Sequence, residues 1–131
     1  MNKSDRRILA DTTVWIEFFR LHSNIGNKLE LLIKEGSIWL CGIVMFELLQ
    51  GVKSTKEKSV ILATLSDLPY IEMSLSIWQK AAELSASIKR DGINLPLSDI
   101  FIATLAIEYS LQIFTLDKHF EQIPGVKLYK V

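Results

Sequence analysis

The chain has 131 residues, of which 49% are hydrophobic, and its 15 basic side chains balance 15 acidic ones. That length suits one domain, spanning residues 1–131, with a substantial core. Balanced charge excludes a general nucleic-acid-coating protein, which is strongly basic, but leaves room for an enzyme that grips a few phosphates locally. Cys41 is the only cysteine, so no intrachain disulfide forms, which suits a reducing cytoplasm. It sits in the apolar run SIWLCGIVMF and reads as a small buried hydrophobe. The longest uncharged run, residues 36–46, has 11 residues, well short of the roughly 20 a spanning helix needs. The apolar segment after the basic start MNKSDRR is broken by Asp11 and Glu17, so neither a signal peptide nor a membrane anchor is expected.

In chain order, residues 7–11 predict a short buried strand ending at Asp11. Thr12 or Thr13 is placed to cap the helix that follows, with Glu17 and Arg20 as its polar points. Residues 24–35 carry Ile25, Leu29, Leu32 and Ile33 at helical spacing, and Gly36 ends that helix. A second strand is expected over 37–41, then a helix over 43–51 that carries Glu47. Another helix spans 56–65, with Val60, Ile61, Ala63 and Leu65 toward its inner side. Residues 69–73 form a short strand-like piece. The longest helix spans 74–90, with Leu75, Trp78, Ala82, Leu84, Ala86 and Ile88 supplying its apolar faces and Asp91-Gly92 ending it. A helix over 98–109 starts with Ser98 as cap and Asp99 in its first turn. A strand over 112–116, a helical turn over 118–122 and a last strand over 126–129 complete the chain. Short apolar strands alternating with helices predict an α/β fold, a three-layer α/β/α sandwich around a parallel sheet of about five strands.

Four carboxylates interrupt this apolar pattern. Asp11 lies in ILADTTVWIEFF, Glu47 in IVMFELLQG, Asp99 in LPLSDIFIATLA and Asp117 in IFTLDKHF. No lysine or arginine accompanies them within these segments except Lys118. Each has an ordinary explanation taken singly: a turn after a strand, a first-turn helix charge, a solvent-facing helix residue. Together they share a context. Asp11 and Asp117 end predicted strands, where functional residues of parallel sheets collect, and Asp99 sits where the helix dipole favours negative charge. They are 36, 52 and 18 residues apart along the chain, so only folding gathers them. Two carboxylates about 5 Å apart repel by roughly 3 kcal/mol at an effective dielectric near 20. A hard divalent ion with oxygen ligands, Mg²⁺ or Mn²⁺, relieves that repulsion. Zinc suits the chain less, since His22 and His119 show no ligand-like spacing.

The ordered pieces Asp11-Thr12-Thr13-Val14-Trp15-Ile16, Glu47-Leu48-Leu49-Gln50-Gly51, Leu97-Ser98-Asp99-Ile100-Phe101-Ile102-Ala103 and Thr115-Leu116-Asp117-Lys118-His119-Phe120 resemble those of PIN domains. The resemblance is to the small VapC-like toxins of toxin–antitoxin pairs and covers nearly the whole chain. It implies a PIN-like nuclease domain, a Mg²⁺- or Mn²⁺-dependent endoribonuclease that hydrolyses RNA, and a homodimer held by a cognate antitoxin. Asp11 and Asp99 would be the principal metal ligands, with Glu47 and Asp117 completing the site directly or through water. Thr115, and Thr12 or Thr13, match the family's hydroxyl positions and would support these acids or touch phosphate. Lys118 is the best single candidate for gripping the substrate, beside Arg20, Lys53, Lys56 and Lys58. Trp15, Phe19, Phe46 and Leu49 are expected to line a groove for an antitoxin segment, with core packing as the plainer account of the aromatic residues. His119 is expected to be a surface or packing residue.

Two other readings compete. A degenerate PIN scaffold that only binds proteins would have little reason to keep four mutually repelling acids. A phosphoacceptor receiver domain wants an adjacent acidic pair on its first strand, where this chain has Ala10 and Thr12.

Overall fold

The computed structural model describes residues 6–131; the first five residues of the expected domain lie outside them. Five short strands form one parallel sheet: β1 (Ile8–Ala10), β2 (Ile38–Cys41), β3 (Tyr70–Ile71), β4 (Gln112–Phe114) and β5 (Lys127–Leu128), in the order β3-β2-β1-β4-β5. The helices are α1 (Thr12–Ile16), α2 (Asn24–Lys34), α3 (Gly42–Gln50), α4 (Thr55–Leu65), α5 (Leu75–Arg90) and α6 (Leu97–Glu108). Right-handed crossovers put α1–α4 on one face of the sheet and α5 and α6 on the other, because the chain reverses direction across the sheet after β3. This is the α/β/α sandwich expected from the strand–helix alternation.

β1 is central and buried along its whole length, with Ile8, Leu9 and Ala10 at 0% exposure. Ile8 pairs with Ile38 on one side and Gln112 on the other. Strand order reverses at the β1–β4 boundary, so the crevice of the sheet opens at the carboxyl ends of these two strands. The backbone N–H of Asp11 donates to the Phe114 carbonyl at 3.0 Å, which ties the two strand ends together there.

Several local expectations are corrected by the packing. The cap of α1 is Asp11 itself, whose side chain accepts from the Val14 N–H, rather than Thr12 or Thr13. α1 passes directly into a π-helical turn, Glu17–Leu21, which ends with His22 in the left-handed region at φ 48°. α2 presses against that turn at Gly26, where a Cβ would lie 2.7 Å from the Glu17 carbonyl oxygen. Only glycine permits this approach. α6 begins at Leu97 with Pro96 in the cap position and no side-chain cap bond. Proline presets the φ that a helix start needs, so Ser98 falls inside the first turn instead of capping it. The buried stripe of α5 is Ile77, Ala81 and Ile88, at i, i+4 and i+11, whereas Leu75 and Trp78 are 86% and 48% exposed and Ala82 and Ala86 also face solvent. On α4, Ile61 and Leu65 face inward while Val60 and Ala63 do not. Among the described residues, no helix is long and apolar enough to cross a membrane.

Candidate active site

Asp11, at 4% exposure, and Asp99, at 8%, are the buried carboxylates among the described residues. Neither they nor Glu47 or Asp117 forms an ion pair with a lysine or arginine among the described residues. The fold brings all four acids to one cavity of about 280 Å³, bordered also by Thr12, Thr13, Pro96, Ser98 and Ile102. Each acid arrives from a different element. Asp11 caps α1 just past β1, Glu47 projects from α3 after β2, Asp99 sits in the first turn of α6, and Asp117 follows β4.

Hydroxyls fix the orientation of these acids. Thr13 donates to Asp11 Oδ1 and Thr115 donates to Asp11 Oδ2. The Leu116 N–H donates to Thr13 Oγ1 at 3.1 Å and the Asp117 N–H to Thr115 Oγ1 at 2.9 Å, so the loop after β4 is folded onto the start of α1. Thr12 donates to Glu47 Oε1 at 2.7 Å. Asp117 caps the 3₁₀ turn Lys118–Gln122 by accepting from the His119 N–H at 2.9 Å.

That turn also corrects the sequence expectation for His119. Its Nδ1 lies 3.0 Å from Asp99 Oδ2 and 3.2 Å from Asp117 Oδ1, so the imidazole belongs to the acid cluster. The readable signal was Asp-x-His: a residue two positions after a capping aspartate in a tight turn swings back over that aspartate.

The electrostatics match an acid cluster in want of a cation. Burial pushes the Asp11 carboxyl above the usual carboxylate range, against the lowering effect of the Thr115 and Thr13 hydroxyls. Burial also raises Asp99. The His119 hydrogen bond opposes that shift, and the negative charges of Asp117 and Glu47 add to it. His119 is pushed up, first by its bond to Asp99 and then by the charges of Asp117 and Asp99. Hard carboxylate oxygens facing one cavity, with no lysine or arginine paired to them among the described residues, are the donor set a small divalent ion requires. The residues present therefore fit Mg²⁺ or Mn²⁺.

The remaining expected residues are placed differently. Lys118 is exposed and borders a neighbouring cavity of about 300 Å³, which shares Asp117 with the acid cavity and also includes Thr115 and Lys130. Trp15 is corrected from groove lining to core: it is 0% exposed, stacked on Phe19 at 5.6 Å and edge-on to Phe18 at 5.7 Å. Phe19 borders a surface cavity of about 480 Å³ with Arg20, Lys53, Ser54, Lys56, Glu57, Val60 and Ile61. A smaller cavity of about 100 Å³, bordered by Thr12, Ile16, Leu48 and Gly51, joins this groove to Glu47. Arg20 spans the groove, donating to the Gly51 carbonyl at 3.2 Å and to Glu57 at 3.0 Å. Phe46, 63% exposed, and Leu49 are not among the residues bordering these cavities.

The fold and site define a class: parallel α/β/α domains that gather carboxylates at the crevice where strand order reverses. Comparison with known proteins narrows the class. The PIN domain family matches residues 8–126, and this chain belongs to that family. A curated relative, Ribonuclease VapC2 of Rickettsia felis, is 30% identical over 92% of this chain and 94% of its own length. A DNA-bound VapBC from Salmonella typhimurium has the same fold, with a TM-score of 0.83 and 22% identity over 95% of this chain and 97% of that one. A toxin–antitoxin complex from Klebsiella pneumoniae matches with a TM-score of 0.73 and 25% identity, covering 95% and 99% of the two chains.

Proposed function

We propose that this protein is a Mg²⁺- or Mn²⁺-dependent endoribonuclease, the toxin of a toxin–antitoxin pair, acting in the cytoplasm as one nuclease domain over residues 1–131. Support comes above all from one observation: four carboxylates from four separate elements face one cavity, two of them buried, with no lysine or arginine paired to any of them among the described residues and only the His119 imidazole set against Asp99 and Asp117. A protein-binding scaffold gains nothing from that repulsion.

In this reading Asp11 and Asp99 hold the ion, each kept rigid by its surroundings. Asp11 is clamped between two hydroxyls and the α1 N-terminus. When bound, Mg²⁺ or Mn²⁺ supplies a water that deprotonates more readily and neutralises charge at the scissile phosphate. Glu47 or Asp117 orients the attacking water and takes its proton. Thr12 sets the Glu47 carboxylate for that role through the 2.7 Å bond. In this reading Lys118, exposed next to Asp117, grips the next phosphate along the strand. Since water is the nucleophile, the products carry a 5′-phosphate and a 3′-hydroxyl, and the 2′-hydroxyl is not consumed. Incubating RNA with the protein, with and without a chelator, tests this. Cleavage that stops on chelation and leaves 5′-phosphate ends is the expected result; chelator-resistant cleavage, or 2′,3′-cyclic phosphate ends, would overturn it.

The partner assignment is an antitoxin segment laid along the groove from Phe19 and Val60 toward Glu47, with a basic residue reaching the acids. The toxin would act as a homodimer. Phe46, exposed on α3, is a further contact point for a partner. Val60→Asp and Phe46→Asp change surface positions, where substitutions typically cost within about 0.5 kcal/mol of stability. Each should leave the melting temperature of the isolated toxin nearly unchanged. In a titration against the cognate antitoxin, Val60→Asp should weaken binding at least about tenfold, or roughly 1.4 kcal/mol. Wild-type affinity in that variant would remove the groove assignment.

A further inference from the structure

We infer that His119 is a nitrogen ligand to the ion held by the acid pocket, so that this chain favours borderline ions such as Mn²⁺ and Co²⁺ over Mg²⁺. The inference rests on the ion site proposed above and goes beyond it in naming a nitrogen ligand beside the acids and the ion preference it confers.

One donor atom from each of Asp99, Asp117 and His119 lies within 4.8 Å of the other two. The spacings from His119 Nδ1 are 3.0 Å to Asp99 Oδ2 and 3.2 Å to Asp117 Oδ1. Neighbouring ligands of an octahedral ion with bonds near 2.1 Å lie about 3.0 Å apart. His119 Nδ1 therefore already stands at ligand spacing from both carboxylates. The backbone keeps the imidazole beside the acids, because the His119 N–H is bonded to the same Asp117 carboxylate that its ring contacts. In the metal-free protein Nδ1 points at two carboxylates. On ion binding the lone pair of that nitrogen replaces the proton it shares with them, and the proton leaves to solvent. Imidazole suits first-row transition ions, whereas Mg²⁺ prefers oxygen and holds its waters. A nitrogen donor beside several carboxylates thus shifts selectivity without closing the site. His22, the other histidine, borders a separate surface cavity with Phe18 and Asn27 and has no part in this.

The test is binding, read apart from cleavage. Mg²⁺, Mn²⁺ and Co²⁺ are titrated calorimetrically into metal-free wild type, His119→Ala and Asp99→Asn. Electron spin-echo spectra of the Mn²⁺ complexes report any ¹⁴N coupling. The expected result is imidazole nitrogen coupling in wild type that is absent in His119→Ala. Co²⁺ affinity should fall at least tenfold in His119→Ala while Mg²⁺ affinity changes less than twofold. Asp99→Asn should weaken all three ions. Nitrogen coupling absent from wild type, or equal Co²⁺ affinity in wild type and His119→Ala, would overturn the ligand role while leaving the carboxylate site intact. Failure of all three ions to bind wild type would overturn both the site and the ligand.

Discussion

Asp99→Asn will lower RNA cleavage by about 10³-fold, the scale of removing one positioned electrostatic group from an active site, while the protein stays folded. The amide keeps the shape of the carboxyl group but gives up the charge that the proposed ion needs. It also removes a buried carboxyl whose ionisation is opposed by burial and by the charges of Asp117 and Glu47. The variant should therefore show a wild-type circular dichroism spectrum and a melting temperature no lower than wild type in the absence of metal. Rates are to be compared at saturating Mn²⁺ with a fixed RNA, so that weaker ion binding is not mistaken for lost chemistry. Cleavage within a few fold of wild type would show that Asp99 is a first-turn helix charge and nothing more.

Trp15→Ala will destabilise the fold by about 3–5 kcal/mol, the usual cost of truncating a buried large aromatic residue. Trp15 is among the largest fully buried side chains of the protein. It packs on Phe19 with planes 20° apart and meets Phe18 edge-on at 86°, and these contacts hold the π-helical turn Glu17–Leu21 against the core. For a domain of this size the melting temperature should drop by roughly 10–20 °C. Since the turn carries Phe19 and Arg20, antitoxin binding and stability should fail together. A variant that melts within a few degrees of wild type would mean that the aromatic cluster contributes little to the core.

The four acids were legible because a charge inside an apolar segment is costly, and that cost is visible without coordinates. Asp11 and Asp99 indeed prove buried, and Glu47 and Asp117 complete the same cavity. The inner strands β1, β2 and β4 were equally readable, because strands buried on both faces read as short continuous apolar runs. What stayed hidden depended on tertiary contact. Trp15 lies in a helix with aromatic residues at several positions, and sequence periodicity does not say whether that helix faces a partner or its own core. The π-helical turn shifts the phase of everything after Ile16, which is why Phe18 and Phe19 both pack inward. α5 carries apolar residues on more than one face, so the stripe that is buried was decided by α6 and the sheet. His119 has no histidine near it in sequence to mark it as a ligand, because its partners are aspartates on a capped turn and on α6.

In the proposed function the carboxylates meet in order to hold an ion. Thermal unfolding of wild type and Asp11→Asn, each with and without Mn²⁺, tests it most directly. Asparagine caps helices about as well as aspartate, so the Asn side chain keeps the α1 cap while shedding a charge that burial opposes. Without metal, the variant should melt at the wild-type temperature or above it. Mn²⁺ at about 100 times its dissociation constant should stabilise wild type by about 2.7 kcal/mol, a shift of several degrees, and leave Asp11→Asn nearly unmoved. A wild-type protein indifferent to Mn²⁺, or an Asp11→Asn variant that melts far below wild type without metal, would contradict the account: the acids would then be serving the fold and not an ion.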